Sequence, residues 1–310
     1  MRVRPAVRPP AADQGGLAWS DMNTSAPRIP SPSELLEHAT TAAHAAAEYL
    51  RSLDRDDLSR EYKANNHDIV TEHDRRSEEI IVSELRRLVP GARIVGEEGG
   101  ERPAEQSGAA ADEPVISFYV DPIDGTSNFA AGLPLFCISI GVAVDDELVA
   151  GVIDAPILGQ VFAAADGPAT LNGKEIAPRS TRRPEDALIL SGFPGQRMGA
   201  RFPEYAAHAI RTLEDSASAV RHLGSAAIEL AYVAAGWADA TGLSAINSWD
   251  VAAGFHILRR AGGSLRTWPG EGDAARPDHL QPAYVGCAGP ERLEFFDALQ
   301  DELQELRSAC

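Results

Sequence analysis

The chain has 310 residues, 44% of them hydrophobic, and its 46 acidic and 28 basic side chains leave a formal charge of -18 at pH 7. That length allows one large domain or two smaller ones, and that charge argues against bulk electrostatic tracking of a nucleic-acid polymer or an anionic membrane. Cys137, Cys287 and Cys310 are scattered and form no C-x-x-C pair, a pattern suited to reduced thiols in a cytoplasmic protein.

Residues 1–33 are rich in Pro, Ala and Arg, lack the apolar segment of a secretory signal, and are expected to form a disordered tail. Met22 offers a second start just ahead of the first helix. An Ala-rich helix is expected over 33–53, with Leu36, Ala43, Ala47 and Leu50 at helical spacing. After the polar loop YKANNHDIV, Thr71 opens a second helix running to 89, with Ile80, Ile81, Leu85 and Leu88 on one face and Pro90-Gly91 as its stop. RIVGEE is a short strand ending in two carboxylates, and 99–114 has the composition of a surface loop.

Strands follow over 115–120, 136–144, 147–154 and 159–165, with VDDE as a hairpin turn and LNGKEI as a tight turn near 172. The second half alternates a strand (187–192), a helix (202–215), a strand (219–223), a helix (224–236), a strand (238–243) and a helix (249–261). Strands at 264–268 and 283–287 and a helix over 289–307 close the chain. Such mixing predicts a layered α/β architecture with sub-domains over 34–180 and 181–310. No run approaches the roughly 18 apolar residues of a membrane helix.

The stretch YVDPIDGTSNF concentrates the chemistry. Asp121 lies where a buried strand is expected to end, and Asp124 follows one short turn later. A turn accounts for one aspartate, but two neighbouring carboxylates repel unless a cation lies between them. Hard divalent cations such as Mg²⁺ take carboxylate and carbonyl oxygens, and the Ile123 carbonyl between the two aspartates is a ligand of that kind. Glu97 and Glu98 end another strand, and Asp250 in NSWDVAAG falls in the first turn of a helix, where the macrodipole alone would favour it. Asp74 completes Thr71-Glu-His-Asp, a capping-box pattern. Singly, each has a structural explanation.

Together, GEE, DPIDGTSNF and WDVAAG, in this order and at these separations, closely resemble the inositol monophosphatase family. DIVTEHD at 68–74 and RHLGSAAIELAYVAAGWADA at 221–240 extend the likeness, which runs from 34 to 300. It implies a layered αβαβα sandwich of the inositol monophosphatase and fructose-1,6-bisphosphatase type. It also implies a Mg²⁺-dependent, lithium-sensitive phosphatase, a homodimer, that acts on a small phosphorylated metabolite. By the same resemblance Glu97, Asp121 and the Ile123 carbonyl hold a first Mg²⁺, and Asp121, Asp124 and Asp250 hold a second. A third ion near Glu97 occurs in some members. Thr126 orients the attacking water with Asp74 holding its hydroxyl, the Gly125 and Thr126 amides meet the phosphate, and Gly224, Ser225 and Ala226 line the substrate pocket. Two cations activating water fit the absence of both a Cys-x5-Arg loop and a GxxxxGK loop.

One position departs from the family. Inositol-specific members carry a glutamate seven residues before the last aspartate, where this chain has Leu243. Leucine accepts no hydrogen bond from a polyol, so the metal side is expected intact and the alcohol side altered. A shifted loop could put Ser244 or Asn247 in the glutamate's place. The substrates considered are an inositol 1-phosphate-like polyol or sugar phosphate, or alternatively a 3'-phosphonucleotide, histidinol phosphate or pathway-specific nucleoside phosphate. Arg221 and His222, just upstream of the pocket turn, are expected to be surface or structural residues. A non-catalytic relative would have lost a ligand, and an EF-hand-like module would pack its ligands in one loop. Neither holds here.

Overall fold

A computed structural model describes residues 29–54, 61–62, 69–70, 72–103, 114–176 and 182–309. The expected tail, Met22, Thr71 with its half of the capping box, the sub-domain boundary near 180 and Cys310 lie outside them.

Helix α1 (Pro32–Ser52) starts from a reciprocal cap in which Ser31 and Glu34 satisfy each other's backbone N–H groups, with Pro32 in its first turn. It buries Leu35 and a stripe of alanines, whereas Leu36, expected on that face, is only half-buried. The short pair β1 (Glu61–Tyr62) and β2 (Ile69–Val70) precedes α2 (Glu72–Leu88), β3 (Arg93–Gly96) and β4 (Gly100–Arg102). β4 is a correction: residues expected to form a loop pair antiparallel with β3.

Next come β5 (Ile116–Asp124), α3 (Thr126–Ala130), β6 (Cys137–Val144), β7 (Glu147–Ala155), β8 (Gln160–Ala164), β9 (Thr170–Leu171) and β10 (Lys174–Glu175). Asp145-Asp146 and Asn172-Gly173 have positive φ at both positions, the primed-turn conformation that suits the twist of a hairpin. β3 to β10 form one eight-stranded sheet, with β3 and β5 parallel and the other neighbours antiparallel.

The second half supplies β11 (Leu188–Leu190), α4 (Gln196–Arg201), α5 (Pro203–Ser216), β12 (Ala219–Arg221), α6 (Ala226–Ala234), β13 (Ala240–Leu243), α7 (Ser248–Arg260), β14 (Ser264–Trp268), β15 (Ala283–Cys287) and α8 (Glu294–Ser308). Its strands make a five-stranded mixed sheet.

The layers follow from which faces are apolar. α1 and α2 cover one face of the large sheet, while α6 and α7 pack between the two sheets. α5 and α8 close the far side. This is the expected αβαβα sandwich. α7 is buried from Val251 to Leu258 without a solvent face, as befits a helix covered on both sides. The close approach of α7 to the large sheet needs small residues on both elements. A Cβ at Gly141 of β6 would lie 2.4 Å from the Ala252 Cβ, and one at Gly151 of β7 would lie 2.7 Å from the Ala253 carbonyl oxygen. The Ala-Ala of WDVAAG therefore sets how near Asp250 comes to β5.

Candidate active site

β5 does not end at Val120. It runs on to Asp124, with a register shift between Asp121, opposite Ser139, and Asp124, opposite Cys137. The expected turn is thus a β-bulge with one extra residue on β5. Pro122 tolerates the broken ladder because it has no N–H to donate. The bulge matters because residues three apart point to opposite faces of a regular strand. Here Asp121, Asp124 and Asp250 each bring a carboxylate oxygen within 4.8 Å of the others. Asp250 reaches them from the first turn of α7, where it also accepts the Asn247 N–H at 2.9 Å in a capping box. Its capping role and its place in the cluster are compatible, because a carboxylate has two oxygens.

Asp124 is held in a way the motif does not reveal. It accepts the Ser225 hydroxyl at 2.6 Å, the Ala227 N–H at 2.6 Å and the Ala226 N–H at 3.3 Å, all at the N-terminus of α6. Ser225 is also the cap of α6, accepting the Ile228 N–H. Ser225 and Ala226 do line the cavity in front of the aspartates, but their polar groups are spent on orienting Asp124. Asp121 accepts the Ile123 N–H at 3.0 Å.

These carboxyls are costly without a cation. Burial, then the charges of Glu97, Asp124 and Asp250, push Asp121 well above the usual carboxylate range. Burial pushes Asp124 up to about 6 against the donors on Ser225, Ala227, Ala226 and Cys137, and burial with the Asp124 charge pushes Asp250 to about 7. The proximity of Asp121 and Asp250 raises the first carboxyl further and pulls the second down. Glu97 is not one of the three within 4.8 Å, but its charge acts on both Asp121 and Asp250. An all-oxygen set whose members resist simultaneous ionisation fits a hard divalent cation, which would displace the protons.

A pH dependence follows. A carboxyl whose folded-state pKa is raised contributes stability below its unfolded pKa of 3.8, and that contribution is lost as pH rises through about 6 for Asp124 and about 7 for Asp250. His279, whose burial lowers its pKa to about 4, works in the opposite sense only below its unfolded value of 6.5. Between pH 6.5 and 8 the chelated protein should therefore lose melting temperature, by roughly 2–3 °C. Saturating Mg²⁺ should raise it, and more at pH 8 than at pH 6.5. Calorimetry with EDTA and with Mg²⁺ checks both signs; a flat chelated profile would contradict the clustered charges.

Helix α2 supplies a polar edge to the site. Its buried stripe runs Asp74, Ser77, Glu78, Ile81 and Leu85, so the periodicity of the core face continues into polar residues. Asp74 is buried and lies 3.0 Å from the Thr126 hydroxyl, which also lies 3.0 Å from the Ile123 carbonyl oxygen. Ser77 donates to the Pro122 carbonyl in the bulge. Glu78 accepts the Glu98 and Gly99 N–H groups and pairs with Arg102, tying down the segment that carries Glu97. Motif spacing does not single out Ser77 and Glu78, although their position in line with Ile81 and Leu85 is a signal in the sequence. Gly125, at φ 95, caps α3, and a Cβ there would meet the Leu135 carbonyl oxygen at 2.9 Å. His73 contacts the Tyr49 hydroxyl and the Phe129 ring, away from any ligand role.

A cavity of about 490 Å³ opens in front of Asp124, Gly224, Ser225 and Ala226 and is closed by Leu243 and Ile246. Leu243 ends β13 at its wall. The alternatives to it are engaged elsewhere: buried Ser244 donates to the Pro194 carbonyl, and Asn247 caps α7. Glu229, buried beneath the cavity with its pKa raised to about 7 by burial, holds the 223–224 turn through the Leu223 N–H. Asn128 ties the same turn to α3, donating to the Leu223 and Leu135 carbonyls at 2.7 Å. Arg221 and His222 are both exposed, as expected, and His222 also lines the cavity. Cys137 and Cys287 are free and buried. Among the described residues no helix is long and apolar enough to cross a membrane.

The model of the inositol monophosphatase family matches residues 31–305. The Nus factor SuhB of Pseudomonas aeruginosa is 34% identical over 255 residues, covering 82% of this chain and 92% of that protein. An inositol-1-monophosphatase from Synechocystis is 36% identical over 245 residues, covering 77% of this chain and 81% of that one. The crystal structure of the extragenic suppressor protein suhB from Bartonella henselae superposes with a TM-score of 0.71 at 30% identity, covering 86% of this chain and 97% of that chain. Likeness of that extent, in sequence and in fold, establishes kinship: the chain belongs to the inositol monophosphatase family, within the superfamily of metal-dependent phosphomonoesterases.

Proposed function

We propose that the protein is a Mg²⁺-dependent phosphatase of a small phosphate monoester. The observation that carries this reading is the convergence of Asp121 and Asp250 on Asp124, which lines a cavity of about 490 Å³. Bound divalent cations would supply a more acidic water and positive charge opposite the entering and leaving oxygens. Glu97, Asp121 and the Ile123 carbonyl would hold one cation, and Asp121, Asp124 and Asp250 the other.

The remaining work falls to the chain's own groups. The Thr126 hydroxyl has one hydrogen and two acceptors within 3.0 Å. Given to Asp74, that hydrogen leaves the Ile123 carbonyl free for a cation and the Thr126 oxygen free to accept from a water. Asp74 thereby sets which way the water is held. The Gly125 and Thr126 N–H groups receive the phosphate, and the Gly224 to Ala226 turn borders the ester. Two further expectations travel with the family: lithium inhibits by competing for the second cation position, and the protein is a homodimer, which sedimentation would test. A phosphate-release screen over inositol, sugar, histidinol and 3'-nucleotide phosphates tests the central reading, and no Mg²⁺-dependent release from any of them would defeat it.

Leu243 decides among substrates. Inositol 1-phosphate should be hydrolysed with little preference over glycerol 2-phosphate, because leucine at 243 offers no acceptor for its hydroxyls. Leu243→Glu should improve kcat/KM for inositol 1-phosphate by roughly tenfold or more and leave glycerol 2-phosphate almost unchanged. Selective hydrolysis of inositol 1-phosphate by the unmodified protein would refute this assignment.

A further inference from the structure

A second cavity, of about 580 Å³, lies beside the first, and His222 lines both. It is bounded by the segment after β11, with Phe193 and Pro194, and by α4 and α5, with Gly199, Ala206 and Ile210. Small residues on the two helices leave the space: a Cβ at Gly199 would meet only the Ala206 Cβ, at 3.8 Å. Apart from Gln196 and His222, its walls are glycines and apolar side chains. Ile210, at its edge, is 49% exposed, whereas Phe193 is buried with its edge against Phe296.

The exposed His222 ring rests against Gly192: a Cβ there would lie 2.7 Å from its Nε2, so the bare backbone leaves room for the imidazole in this position. On the catalytic side, Leu223, Leu243 and Ile246 add apolar surface to a lining that also holds Ser127, Asn128 and Glu229. The second cavity therefore favours an apolar group, and at position 243 of the first a polyol would find leucine where inositol-specific relatives carry a carboxylate.

We propose that the second cavity is a substrate subsite. It would take a planar, largely apolar ring carried by the alcohol part of the ester, which crosses over His222 while the phosphate stays at the aspartates. The assignment rests on the phosphatase reading for what sits at the aspartates, and it identifies the substrate class as phosphate monoesters of ring-bearing alcohols. His222 stacks on the ring or bonds to it at the crossing, and Leu243 contributes apolar contact where inositol-specific relatives read hydroxyls.

Binding separates this idea from the activity. With Mg²⁺ present, calorimetry should show 2-phenylethylphosphonate binding about tenfold more tightly than ethylphosphonate. Gly199→Phe should fill the cavity and abolish that difference, while glycerol 2-phosphate turnover stays within about twofold, since the variant lies away from the aspartates. Ile210→Asn, at an exposed position, should narrow the difference in the same way should Gly199→Phe not fold. Equal affinities in the unmodified protein would overturn the subsite, as would a preference that survives both substitutions. Equal affinities together with an altered sedimentation coefficient in Gly199→Phe would instead assign the cavity to contact with a second copy. Absence of phosphate release from every ester with the binding preference intact would leave the subsite standing and remove only the phosphatase reading.

Discussion

Asp121→Asn and Asp250→Asn should each lower Mg²⁺-dependent phosphate release by about 10³-fold while leaving a folded protein. The loss is large because both residues belong to the group of three carboxylates within 4.8 Å, and an amide offers one neutral oxygen in place of an anionic pair. The fold should survive because each asparagine can keep its local bond. An amide oxygen at 121 can still accept the Ile123 N–H, and one at 250 can still accept the Asn247 N–H that starts α7. In chelator the variants should melt no lower than the unmodified protein, since one member of a mutually repelling set has gone. Phosphate-release assays across a Mg²⁺ titration, paired with thermal melts, check both halves. Near-normal turnover in either variant at moderate Mg²⁺ would sink the two-cation reading.

Thr126→Ala and Asp74→Asn should each reduce kcat by roughly 10²-fold, with little change in KM. The two side chains are 3.0 Å apart, on elements brought together only in the folded protein. If Asp74 acts by directing the Thr126 hydrogen, the double variant should be scarcely worse than either single one, because both remove the same orientation of water. A helix-capping role for Asp74 would look different: a loss of about 0.5–2 kcal/mol in stability and unchanged turnover of the folded protein. Additive effects on kcat would show that the residues act separately.

Much of this site is legible in the residues alone. The three islands GEE, DPIDGTSNF and WDVAAG name the acidic residues, and the apolar patterns before Glu97, before Asp121 and after Asp250 place them at two strands and a helix start. Other features leave a fainter trace. Ser77 and Glu78 continue the buried stripe of α2, yet apolar periodicity favours Ile80 and Leu88, which are only half-buried, over polar residues at core-facing positions. The segment at Gly100–Arg102 has a loop's composition and still pairs with β3, because a strand's hydrogen bonds come from backbone that every residue possesses.

What the sequence by itself determined was the kind of chemistry: an excess of carboxylates at strand ends and a helix start, no thiol or phosphate loop to replace them, and leucine at 243. Those are properties of residue type and local spacing, and they do not depend on what lies across the fold. The tertiary structure alone decided which of these groups meet. A bulge at Pro122-Ile123 turns Asp121 and Asp124 to the same side, against the alternation that a regular strand would impose. The N-terminus of α6, about a hundred residues on, claims the Oδ2 of Asp124, and the glycines of β6 and β7 let α7 carry Asp250 in. His222 faces both cavities because Gly192 leaves room for its ring. Each is a contact between segments far apart in the chain, and local periodicity specifies the face of one element without specifying the partner it will meet.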